Sequence, residues 1–129
     1  AIAAKSIKEV RYHLRHARDW LVRLGDGTAE SHARVQAALD YLLPFTDEFW
    51  APSALELAVA DNATGVPAAS LRAEWQALVD DAIAEATLKP PPAWDGYVTQ
   101  GKTGVHTEHL GYLLAEMQSL ARAHPGAVW

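Results

Sequence analysis

The chain carries six histidines and no cysteine, so any metal it held would have to be gripped by imidazole and carboxylate. The candidate ligands nearest in sequence are Glu9, His13 and His16, with His32 further along. Di-iron bundles take one Glu from each of two helices and a Glu-x-x-His pair from each of the other two, because that spacing aims both side chains at one point. No Glu of this chain is followed three residues later by His, and Glu9 with His13 is spaced i, i+4. On a helical wheel His32 falls beside Val35, Leu39 and Leu42, whereas Glu30 points away. At most, then, Glu9, His13, His16 and His32 meet, with too few carboxylates for an oxygen-activating iron pair. The plainer account is a polar rim of the core closed by hydrogen bonds such as Glu9 with His13.

A second group, His106, His109 and Glu116, lies along one edge of the last helical stretch and suits contacts between helices or subunits. Five tryptophans are many for 129 residues. Trp20 and Trp75 read as core. Trp94, in a proline-rich loop, and Trp129, at the end, suit packing against another chain, where tryptophan is enriched. Lys102 sits in Gln100-Gly101-Lys102-Thr103-Gly104, which lacks P-loop spacing and reads as a solvated loop lysine.

Helices must position these groups. Ile7, Val10, Leu14, Ala17, Leu21 and Leu24 predict a helix over 2–24, with Arg11, Arg15, Arg18 and Val22 on the edge opposite Glu9, His13, His16 and Trp20. Thr28 is placed to cap a second helix with the stripe Val35, Ala38, Leu39, Leu42 and Leu43, ending near Pro44. The short connection makes the two antiparallel neighbours. Aromatic residues 45–50 would cover a bundle end, 53–60 form a short helix and 62–65 a loop. The stripe Leu71, Trp75, Leu78, Val79, Ala82 and Ile83 follows Pro67. Pro90 to Pro92 and three glycines forbid regular structure over 88–102. Leu110, Leu113, Leu114, Met117, Leu120 and Ala121 then predict an amphipathic helix over 106–123, capped by Thr103 or Thr107 and stopped by Pro125-Gly126. The fold class is all-α.

Net charge is −5, with basic residues scattered, which argues against binding nucleic acid or an anionic membrane. No apolar run is long enough to span a bilayer, and the lack of cysteine is compatible with the cytosol.

The run HTEHLGYLLAEMQSLARAHPGAVW resembles the C-terminal signature of the PaaC family, a component of the 1,2-phenylacetyl-CoA epoxidase complex. A second run, IAAKSIKEVRYHLRHARDWLVRLGDGTAESHARVQAALD, is similar to the middle of the same component. The resemblance implies a ferritin-like helical bundle, of which residues 1–129 supply the C-terminal half of a single domain: half of the bundle plus the C-terminal helices. Opening at Ala1 without an initiating Met, the chain reads as a fragment whose N-terminal half is elsewhere.

The resemblance further implies a cytoplasmic monooxygenase complex that uses O2 and reducing equivalents from NADPH to epoxidise the ring of phenylacetyl-CoA during phenylacetate catabolism. In it the di-iron centre belongs to the catalytic PaaA component, and the PaaC component holds no working metal or other cofactor. On this expectation the present chain is a non-catalytic structural partner of the catalytic component and the other epoxidase subunits, within a homo- or hetero-oligomer. Two other readings stand beside it: a metal-binding ferritin-like oxidoreductase in its own right, and a free-standing helical adaptor.

Overall fold

The computed structural model describes residues 2–61, 64–94 and 99–128. It contains five α-helices: α1 (Ile2–Gly25), α2 (Ala29–Leu42), α3 (Ala54–Asp61), α4 (Arg72–Glu85) and α5 (His109–Ala123). Tight 3-10 turns occupy Leu43–Phe49, Ala68–Leu71 and Gly101–Thr103. Among the described residues the extended backbone pairs only at one bridge, Gln100 with Val105. The fold is all-α, as the periodicity requires.

The α1–α2 corner shows how local chemistry places a helix pair. Thr28 caps α2 as expected: its Oγ1 accepts from the Ser31 amide, and the Thr28 amide donates to Ser31 Oγ at 3.0 Å. Ser31 Oγ also donates to the Leu24 carbonyl at 2.7 Å, and His32 Nδ1 reaches the Gly25 carbonyl at 2.7 Å. The last carbonyls of α1, which no helical amide can satisfy, are thus met by the first turn of α2. His32 is a clasp at this corner.

The core sits where the ends of α1 and α4 meet α2. Ile83, Ala86 and Leu88 are buried, with Leu21, Val22, Val35, Leu39, Leu43 and Val79 packed around them. α4 closes with the amide of Leu88 donating to the Ile83 carbonyl and that of Thr87 to Ala84. This is the hydrogen-bond pair of a Schellman turn, with Thr87 at φ 59° in the left-handed position usually held by glycine.

Three expectations need correction. Val22, assigned to the basic edge of α1, packs on the core, because α4 approaches α1 from that edge: Arg18 binds Asp81 at 2.7 Å and also Glu85 of α4. The apolar seam Ile7, Val10, Leu14 is consequently exposed. Trp20 is exposed rather than core, with Arg23 over its ring face at 5.3 Å and His16 at its edge. Trp75 does pack, its ring centroid 5.1 Å from that of Trp50. Finally, α5 begins at His109 and not 106, and Glu108 precedes it with no side-chain cap. Thr103 instead bonds the Gln100 carbonyl within its own turn.

α3 starts on a capping box that the sequence spells as Ser53-x-x-Glu56: the Ser53 amide donates to Glu56 Oε2 at 2.7 Å, and the Glu56 amide to Ser53 Oγ. Most of α5 stands clear of this body. Tyr112, Leu113, Met117 and Leu120 are 73%, 55%, 71% and 56% exposed.

Candidate functional site

The sequence-derived partner-contact residues gather, in part, around Phe45. The turn after α2 throws Phe45 outward, where Tyr41 meets it edge-on at 5.7 Å and Trp94 from the proline loop lies 6.3 Å away. Across from them stand His106, Thr107 and His109, at the start of α5. Two adjoining open hollows of about 510 and 420 Å³ share Phe45 and these three residues. The result is a cleft of aromatic and imidazole rings with one carboxylate, Glu48, at its side. Glu116 is seven residues along α5 from His109, about 10 Å further on, and does not line the cleft. Trp129 lies outside the described residues.

A strap, residues 99–105, carries α5 to this position. Glu48 Oε2 accepts from the Gly101 amide at 3.1 Å, and the buried Thr99 also bonds its carboxylate. These bonds, led by the Gly101 amide and helped by the nearby His106 and Lys102, hold the Glu48 carboxyl below the usual carboxylate range. Gly104, at φ +86°, makes the reversal that lets Gln100 and Val105 pair.

Lys102 departs from its expected solvated state. Its Nζ donates to the carbonyls of Phe49 and Ala51 at 3.2 and 3.3 Å and to Glu56 Oε1 at 2.9 Å. The lysine therefore ties the strap to the end of one turn and the start of α3. The Ser53 amide and then Lys102 bring the Glu56 carboxyl down from 4.5 to about 2. A carboxylate depressed on folding stabilises the fold fully above its unfolded value and loses that contribution as the pH falls through the folded one. The attachment of the strap should weaken between about pH 4.5 and about pH 2. Thermal melts across this window should show a flatter acid limb for Glu56→Gln than for the unaltered chain.

The other histidines and Glu9 do not join this cleft or one another. Glu9, His13 and His16 are exposed on α1, and His16 stacks on Tyr12 with centroids 6.0 Å apart. No hydrogen bond joins Glu9 to His13 among the described residues. His32 is fastened at Gly25, and Glu9 is sixteen residues up the helix, about 24 Å away. The meeting of Glu9, His13, His16 and His32 that the wheel allows does not occur. The donor set in these positions does not fit a di-iron centre built by this chain.

Sequence reasoning missed Glu48, Gly101 and the Lys102 attachment. The Ser53-x-x-Glu56 pattern is a readable signal for one partner of that lysine. The two backbone carbonyls that complete its site leave no trace in residue types.

The chain's similarities agree with this organisation. A family model described as phenylacetic acid catabolic protein matches residues 1–129. The chain is 48% identical over 129 residues to the C subunit of 1,2-phenylacetyl-CoA epoxidase from Escherichia coli (strain K12). That alignment covers 100% of this chain and 52% of the relative, so the chain spans about half the relative's length.

Proposed function

The chain belongs to the phenylacetic acid catabolic protein family, and from that premise we propose that it is part of a non-catalytic structural subunit of a multicomponent phenylacetyl-CoA epoxidase. On this reading residues 1–129 are the C-terminal half of one ferritin-like helical domain. The subunit supports a di-iron catalytic subunit in the cytoplasm, and the complex consumes O2 and NADPH. Among the described residues no helix is long and apolar enough to cross a membrane.

One observation carries the structural part of this proposal. A compact monomer of 14.0 kDa exposes roughly 6,700 Å² by the usual scaling of surface with mass. This chain exposes 10089 Å², an excess of roughly 3,400 Å², within the range covered by obligate interfaces. Its apolar helix faces are the natural place for that cover. The wet seam of α1, the exposed side of α5 and the Phe45 cleft together offer more binding surface than a self-contained adaptor would leave open.

The test is a pull-down of the full-length protein with the catalytic subunit of its own complex, with metal measured on each component. Stoichiometric co-purification is expected, with iron in the catalytic subunit and less than about 0.1 metal per copy of this protein. Stoichiometric metal on this protein alone would instead support the oxidoreductase reading. Failure to bind the catalytic subunit would support the free-standing adaptor.

A further inference from the structure

Charge is unevenly divided along the chain. α1 carries six basic and two acidic residues, a net +4 in a chain of net −5, which leaves −9 for the remainder. Lys8, Arg11, Arg15 and Arg18 follow one another at spacings of three and four and share one edge of the helix. The last of them shows what this edge receives. Arg18 holds both Asp81 and Glu85, two carboxylates one turn apart on α4.

Lys8, Arg11 and Arg15 continue the same edge beyond that contact. All three are exposed, and among the described residues no carboxylate lies within salt-bridge distance of them. Beside them run Tyr12, His16 and Trp20, one turn apart, with the Arg15 guanidinium 5.8 Å from the Tyr12 ring centroid. Arginine next to exposed Tyr and Trp is the composition of an interface hot spot.

We propose that Lys8, Arg11 and Arg15 dock an acidic helix of a partner subunit whose carboxylates recur at i, i+3 or i+4, extending outward the way Arg18 already grips α4. The inference rests on the structural-subunit reading and adds to it a surface, a sign of charge and a geometry. A helix is favoured over a phosphate polymer because the net charge of −5 repels a long polyanion, whereas a short acidic face meets only this edge.

The experiment measures affinity of the full-length protein for the catalytic subunit at low and high salt. Arg11→Glu with Arg15→Glu should weaken binding about tenfold or more at low salt, with the gap narrowing at high salt as the charges are screened. Arg11→Lys with Arg15→Lys should keep most of the affinity, and Arg34→Glu on α2 should change little. If the glutamate pair does not fold, Arg11→Gln with Arg15→Gln gives the same comparison without reversing charge. Unchanged affinity in the charge variants, or a loss equal at both salts, would overturn the proposal while leaving the structural-subunit reading intact. A loss seen with heparin but not with the catalytic subunit would overturn it in favour of a polyanion. An unaltered protein that does not bind the catalytic subunit would overturn both.

Discussion

Leu114→Asp should leave the melting of the 129-residue chain within about 0.5 kcal/mol of the original and yet weaken association through α5 by about a hundredfold or more. Leu114 is 39% exposed on a helix whose other large apolar residues are wetter still. A carboxylate there remains solvated, so the chain alone has little to lose. Once another polypeptide covers the stripe, the same carboxylate is buried without a partner, which costs several kcal/mol. Circular dichroism melts paired with co-elution measurements read the two effects separately. A variant that melts early would show that α5 packs within the chain. A variant that binds normally would show that its stripe faces water even in the assembly.

Gly25→Ala should act in the opposite sense, on the fold itself. An ideal Cβ at Gly25 would lie 2.4 Å from the Ala86 carbonyl oxygen and 2.9 Å from the Ala86 Cβ. Both neighbours belong to the end of α4 or its cap, and the backbone oxygen cannot swing aside as a long side chain would. The helix ends must therefore separate, disturbing Ile83, Ala86 and Leu88 together with the His32 clasp on the Gly25 carbonyl. A loss of about 2 to 3 kcal/mol is expected from overpacking of this kind. Because so few residues are fully buried here, that should appear as a clear drop in the melting temperature. A variant as stable as the original would mean that α1 and α4 do not meet this closely.

These two sites mark what residue order does and does not disclose. The apolar spacing of α1, α2, α4 and α5, the Thr28 cap and the Ser53-x-x-Glu56 start of α3 are local signals, and the helices form where those signals fall. Which edge of α1 meets α4 is a long-range matter. Arg18 and Val22 look like a solvated edge until Asp81 and Glu85 arrive to neutralise it. By residue type His32 is a potential ligand beside a core stripe, yet its partner is a backbone carbonyl that every residue possesses. Lys102 is obscure for the same reason. Of the partner-contact residues, Trp94, His106 and His109 come together because the strap brings the start of α5 to Phe45. Glu116 follows the helix away from them.

Light scattering on the 129-residue chain during size-exclusion chromatography tests the central claim most directly. If its exposed helix faces are surfaces that another polypeptide covers, the chain alone should self-associate, at a mass well above 14.0 kDa, and return to a defined species only when its partner is added. A monodisperse 14.0 kDa monomer that melts cooperatively and ignores the catalytic subunit would contradict it.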